Sequence, residues 1–512
     1  MLSTSILGKL YFIWINSVVF HILSIIYQSF SRSFAQSKIV HLFVRDSKID
    51  VLFANSAFSC FFKKLFDILL KPMSILCAWI KRTAKGGIFY AFCQRFFKTS
   101  FFVNYETMLG GFIFLMFILP HNYWSNSFAL AAAIGLFIIY QFMVASGARK
   151  QLYIHDLGLP ITLFAIVCIA NPFLSFAKGD SVRVLLMYIT AFIFLYLVVA
   201  DIDSKKKLMK FAGFIYWAVI LTSLYAFYQR MVGVEIDPSL IDTTINKGVP
   251  GRVYSTLDNP NNYAEFLILM TPIAACFAAN VKRETMRLPL CLGIALPALA
   301  MLMTYSRTGW VSTAVTCFVF IYYSNKRLLP WLIFAGVALI PFLPASIITR
   351  FTTIFNPADH STSFRVYILM GVIGMLRDFG LMGIGLGPGS FALLYPNYAV
   401  PEAMEGPMHS HMVYVELILE LGILGFVAFM WFLLKLLKDS SRVQIHSQDK
   451  TIKYFTAAVI SSIVGISVAF FTEYVWYYPR VLFAYFILCG IALALMRIEK
   501  QNHLIQSKGS QK

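Results

Sequence analysis

The sequence predicts an all-α fold: a polytopic membrane bundle of about twelve transmembrane helices with a large extracytoplasmic loop containing interfacial helix. Three observations predict it. Of 512 residues, 59% are hydrophobic and only 13% charged, which excludes a water-soluble globular chain. From residue 104 onward, apolar stretches of roughly 17 to 25 residues recur, the length that crosses a hydrocarbon layer of about 30 Å. Lysine and arginine then gather in alternate connections.

Residues 1–103 read differently. Their apolar runs are broken by basic residues, as in "FFKKLFDILLKPMSILCAWIKRTAKGG", too short to span a bilayer and too rich in Phe, Ile and Leu to stay solvated. They predict a basic cytoplasmic, interfacial region. The apolar stretch after Lys9 runs on into "SRSFAQSK" with no cleavage site, so the N-terminus is expected to be retained.

The first part of the bundle, 104–345, has spans expected at about 104–119, 126–147, 158–176, 181–201, 208–229, 263–281, 287–305, 308–324 and 328–345. Residues 346–412 form the large extracytoplasmic loop. Three C-terminal spans follow at about 413–437, 453–474 and 478–497, and 498–512 make a basic cytoplasmic tail.

Starting inside, the loops "ARKQ", "DSKKKLMK", "KRETMR", "NKR" and "KDSSRVQIHSQDKTIK" all face the cytoplasm, and both termini join them. This topology explains the net charge of +19 through cytoplasmic loops and anionic membrane lipids, without nucleic acid. The eight cysteines stand singly, with no CxxC pair and no Cys/His metal spacing, so neither disulfide nor metal is expected.

The few positive charges on the opposite side need a reason. Arg252 stands in "GRVYSTLDNPNNYAEFL", Arg307 in "MTYSRTGW" and Arg365 in "STSFRVYIL". Arg307 ends one apolar span and almost begins the next, which holds its guanidinium at the membrane boundary. A permanently charged fork at that depth suits a phosphate or pyrophosphate on a lipid, and ordinary snorkelling to the interface is the plain alternative.

"MHSHMVYVELILELGILG" places His409 and His411 where the long loop turns into a span. A histidine there can activate a hydroxyl as general base or serve as a structural cap; His411 is the first candidate and His409 the second. In a continuous helix of about 100° per residue, Gly422 and Gly425 would share the face of His411 and admit a close neighbour. Glu420 would point away from that face, roughly 10 Å into the membrane, where a carboxylate needs a partner; its expected role is structural or electrostatic.

"GIGLGPGSF" lacks the GK[ST] ending of a phosphate-binding loop and predicts a tight turn after an amphipathic helix at about 366–379. No carboxylate pair suggests a soluble nucleotide-sugar donor with a divalent metal.

Taken in order, these motifs resemble the O-antigen ligase and O-antigen polymerase superfamily of bacterial membrane proteins. "GRVYSTLDNPN" is similar to the family's Arg-x-x-(G/S)-T-x-x-(N/D)-P-N segment, "YSRTGW" to its Ser-Arg turn, and "SFRVYIL" with "GIGLGPGSF" to its large periplasmic loop. His411, one residue, nine more and then Gly422-x-x-Gly425 match H-[NSQ]-x9-GxxG, with Glu420 at the usual acidic position. Met412 departs from that pattern by replacing the polar residue after the histidine.

The resemblance covers about residues 120–497 and implies a membrane glycosyltransferase with an extracytoplasmic site in the bacterial inner membrane. Its donor would be a glycan on undecaprenyl pyrophosphate, transferred to a glycan, lipid or protein hydroxyl with inversion and without metal or cofactor. Arg252, Arg307 and Arg365 would hold the pyrophosphate, and Arg307 and His411 would be catalytic. His409, Glu420, Asn259 and Asn261 would support them. The alternative within the superfamily is a polymerase of lipid-linked repeat units for O-antigen, capsule or another surface polysaccharide; a protein O-oligosaccharyltransferase is a variant. A transporter, which twelve spans also suit, would show related halves and midplane polar sites, and no such repeat is visible.

Overall fold

The computed structural model describes residues 48–83, 104–235, 250–352, 360–404 and 406–509, with Asn16, His21, Ile25, Ser29 and Gly248 as isolated positions. The expected basic region 1–103 therefore lies partly outside the described residues, as do residues 510–512 of the expected tail. Every regular element among the described residues is helical.

Among the described residues, eight helices are long and apolar enough to cross a membrane: Asn126–Ala145, Lys178–Asp201, Lys205–Val232, Pro260–Asn280, Glu284–Met303, Val413–His446, Lys450–Ala469 and Pro479–Asn502. Tyr105–Ile118 and Leu159–Phe173 are shorter apolar helices. The start positions follow local chemistry. Ser125, Asn259 and Asp449 cap their helices by accepting from backbone N–H groups, and Pro260 occupies a first-turn position that lacks a needed donor.

Prolines and polar residues explain where expected spans shorten. Residues 329–339 form a helix that ends in a 3-10 turn, Ile340–Phe342, around Pro341. Arg307–Asn325 is 19 residues long but carries Thr308, Ser312, Thr313 and Thr316, so it is less apolar than its neighbours. Its polar side faces Lys450–Ala469, where a Cβ on Gly465 would stand 1.8 Å from Thr316 Oγ1. Only glycine admits that approach.

The C-terminal helix is central: 83% of its apolar window is buried, against 28% for Asn126–Ala145 and 17% for Glu284–Met303 at the periphery. It packs against Lys178–Asp201, with Gly490 opposite Val198. Below the bundle, helix Ala57–Thr83 lies against Asn126–Ala145 and the turn at Tyr153. Tyr153 donates to Asp67 at 3.0 Å and faces Lys63, and Asp50 pairs with Lys435 at 3.0 Å. Phe61, Ile68, Ile75 and Trp79 stay exposed along one side.

Within the long loop, helix His360–Phe379 turns Ile368, Val372 and Met375 inward onto Phe391 and Tyr395 in a second hydrophobic cluster. The sequence suggested that this helix rests its apolar residues on the membrane. Its most buried face instead packs inside the loop, while Val366, Met370 and Ile373 remain exposed on the other side.

Candidate active site

Three distant segments meet at one end of the bundle, the end away from the basic loops. Arg307 starts its helix, Arg365 lies in the loop helix, and His411 ends the loop. All three line a single cavity of 410 Å³ together with Thr308, Met412 and Thr472.

The turn that carries His411 is held by backbone contacts. Glu416 Oε2 accepts from the Ser410 N–H at 2.6 Å, His409 Nδ1 accepts from the His411 N–H at 3.2 Å, and the Val413 N–H donates to Phe470 O at 3.0 Å. His411 has φ 60°, a left-handed conformation uncommon outside glycine. Ser255, Asp258 and Tyr305 also have positive φ, so all four such non-glycine residues described lie in segments bearing candidate residues. Strain of this kind collects at functional sites because the surroundings over-determine the backbone. Although Met412 removes a side-chain partner, the Ser410 hydroxyl and Glu416 secure the turn.

His411 Nδ1 is buried without a hydrogen-bond partner among the described residues, and its ring centre is 4.3 Å from that of His409. Burial, then His409 and the Arg365 charge, hold the His411 imidazole well below its usual pKa. Burial and Arg365 pull His409 down to about 4. Both rings are neutral at pH 7, and His409 packs on Tyr474 and Tyr477 behind His411.

Arg252 supports the cavity from behind and does not line it. It is buried, with Nε donating to Thr304 O at 2.8 Å and Nη2 to Asn261 Oδ1 at 2.6 Å. Asn261 donates in turn to Glu473 Oε1 at 3.3 Å, and the same oxygen receives Arg365 Nη2 at 2.6 Å. Burial, followed by Arg350, pulls the Arg252 pKa down to about 9 against the pull of Glu473, so the guanidinium stays charged at neutral pH. Asn259 acts one step further back, as the helix cap that presents Asn261.

Sequence reasoning missed Glu473 and Arg350. Arg350 is buried beside Arg252 and donates to Tyr305 O at 3.3 Å. Glu473 falls at the end of the span expected at about 453–474, and an acid at the end of an apolar span was the signal available.

Glu420 does not line the cavity. Its Oε1 accepts from the Gly387 N–H at 2.8 Å and its Oε2 from the Tyr474 hydroxyl at 2.8 Å, below the cavity. The helix is interrupted at Gly422, φ 69° and ψ 179°. The loop fills the gap: Ile384 N donates to Leu419 O, Gly385 N to Glu420 O and Ile423 N to Gly380 O. Asn171 completes the join by donating to Glu420 O and accepting from Leu386 N. The continuous-helix expectation therefore fails twice, because His411 precedes the helix and Gly422 breaks it. Gly422 and Gly383 serve backbone contact between helix and loop, whereas a Cβ on Gly425 would meet only Leu421 of its own helix.

What the arrangement can do follows from its charges. Two cationic forks and a neutral imidazole around a part-open cavity suit an anionic group beside a hydroxyl that must lose a proton.

Residues 292–430 match the family model described as O-Antigen ligase. The match bears out the resemblance to the O-antigen ligase superfamily and includes Arg307, Arg365, His409, His411, Glu420, Gly422 and Gly425. Arg252, Asn259, Asn261 and Glu473 lie outside it. No curated protein matches the chain.

Proposed function

We propose that this chain, with its O-antigen ligase segment, is a membrane glycosyltransferase that moves a glycan from undecaprenyl pyrophosphate to an acceptor hydroxyl. The observation that carries the reading is the convergence of Arg307, Arg365 and His411 on one cavity. In this reading the reaction lies outside the cytoplasmic membrane of a bacterium, in a chain of about twelve spans with both termini inside; the cavity at the end opposite the basic loops supports the outer side.

In this reading Arg307 and Arg365 bind the pyrophosphate of the donor, and Arg365 exchanges part of its contact with Glu473 for it. The acceptor oxygen attacks the anomeric carbon from the face opposite the pyrophosphate, the bond to the carrier breaks, and the configuration inverts. Undecaprenyl pyrophosphate leaves with the bonding pair, its charge stabilised by the two guanidiniums. His411 takes the hydroxyl proton. Burial first, then His409 and Arg365, make His411 a weak base; the negative charge of a bound pyrophosphate offsets the Arg365 contribution and so moves the imidazole pKa upward. No metal takes part in this scheme.

Ligase and polymerase share this chemistry and differ in acceptor. The ligase reading is preferred on the matched segment. The test is a deletion strain complemented with the wild type, His411→Ala or Arg307→Ala, with surface polysaccharide and lipid-linked intermediates resolved on gels. Both variants should reach the membrane and fail to restore surface glycan. Full-length polymer left on the carrier supports the ligase; single repeat units turn the assignment to the polymerase. Normal surface glycan with either variant would sink the proposal.

A further inference from the structure

At the opposite end of the bundle a second cavity, of 550 Å³, opens between helix ends. Arg149 and Lys150 enter it from the turn after Asn126–Ala145, Asp203 from the turn after Lys178–Asp201, and Arg497 and Gln501 from the C-terminal helix. The site is built. Gly147, at φ 79°, lets the chain reverse so that the Ala148 and Arg149 N–H groups both reach Met143 O. The Tyr140 hydroxyl bonds Lys150 O at 3.2 Å and Ala200 O at 3.1 Å, tying the two turns together. Arg497 Nη1 donates to Val199 O at 2.9 Å and so is anchored on the last turn of a helix.

Charge is unbalanced there. Each nearby carboxylate already has a cation: Asp203 has Lys207 at 3.0 Å, Asp201 has Arg149 at 3.2 Å, and Glu106 has Lys210 at 2.9 Å. Lys150 Nζ and the Nε and Nη2 of Arg497 have no protein partner among the described residues and stand at the cavity. Two cations left over in a concave space attract an anion with several acceptor oxygens, and the volume falls within the roughly 300–1,000 Å³ of small-ligand sites.

We propose that this cavity binds a phosphate-bearing anion through Lys150 and Arg497, with Arg149 at its rim. Two sources share that chemistry, the head group of an anionic phospholipid in the adjoining leaflet and a soluble phosphate. The proposal does not depend on the glycosyl-transfer reading.

The test uses the full chain in neutral detergent. Its melting temperature is followed against inorganic phosphate, dihexanoyl-phosphatidylglycerol and dihexanoyl-phosphatidylcholine. At least one of the first two should raise the melting temperature saturably. Lys150→Glu, at an exposed position, should abolish that rise, and Arg497→Gln, which keeps an amide donor for the helix carbonyls, should weaken it about tenfold or more. Lys150→Glu leaves the arginines of the other cavity intact, so its loss of response separates the two sites. A response to phosphatidylglycerol alone identifies a lipid head group, and a response to inorganic phosphate identifies a soluble anion. No saturable response to either probe, an equal response to phosphatidylcholine, or an unaltered response in Lys150→Glu overturns the proposal.

Discussion

Arg365 and Glu473, 108 residues apart, meet at 2.6 Å at the rim of the candidate active site. The same Glu473 oxygen is reached by Asn261, which also accepts from Arg252, so one carboxylate links two arginines that the sequence presented as separate.

Removing that link should disorder the site more than it destabilises the protein. Glu473→Ala is expected to reduce glycan transfer about tenfold or more, on the scale of ~1.4 kcal/mol for a part-exposed charged contact. Glu473→Gln, which keeps an acceptor oxygen for Asn261, should retain more activity. Arg365→Ala combined with Glu473→Ala should be no worse than the weaker single variant, since the two act as a unit. Additive losses in a transfer assay would show that they do not.

Arg307 lies in the cavity wall at the first turn of its helix, and its replacement by lysine tests geometry apart from charge. Lysine keeps the charge and loses the planar fork. Arg307→Lys should lower transfer by about tenfold or more while expression and melting temperature stay at the wild-type level. Full activity in the lysine variant would mean that charge alone suffices.

Gly422 should resist substitution for a reason unrelated to chemistry. An added Cβ would lie 2.5 Å from Leu381 O in a backbone with φ 69°. Left-handed strain alone costs on the order of 1–3 kcal/mol, and the clash adds to it. Gly422→Ala should therefore lower the melting temperature clearly, whereas Gly336→Ala, where nothing stands within 4 Å, should not. Equal melting temperatures for the two variants would refute this account of the break.

The two histidines make the fold sensitive to acid. His409 is held at about 4 in the folded chain, against about 6.5 when exposed, and His411 is held low as well. Between those values the unfolded chain binds more protons than the folded one, so stability is full above about pH 6.5 and falls as pH drops toward 4. Melting temperatures from pH 7.5 to 5 should decline, and His409→Asn should flatten the decline. A steeper decline in that variant would reverse the assignment.

Legibility in the sequence followed the range of each interaction. Hydrophobic length, lysine and arginine placement and the motif order around Arg307, Arg365 and His411 are local or repetitive signals, and they predicted an all-helical membrane protein and its superfamily. The ends of helices were less legible, because single prolines such as Pro341 and polar stripes such as Ser312 and Thr316 act against the apolar average around them.

The spacing of His411 to Gly422 and Gly425 was read as a helical face, and it is instead a loop, a helix start and an interruption. Nothing within that stretch announces the break, since the groups that satisfy it come from residues 380–387 and Asn171. Glu473 was hidden for the same reason: its meaning depends on Asn261 and Arg365 arriving from two other segments.

By itself, then, the sequence determined the solvent this chain folds in, its helical class and the residue types available for binding an anionic donor. Tertiary structure alone decided which arginines face the cavity, which one stands behind it, and that Glu420 braces the loop against the helix. The physical reason is that burial in lipid and hydrogen bonding within helices act along the chain, whereas ion pairing and the hydrogen bonds that join loop to helix act through space between segments far apart in it.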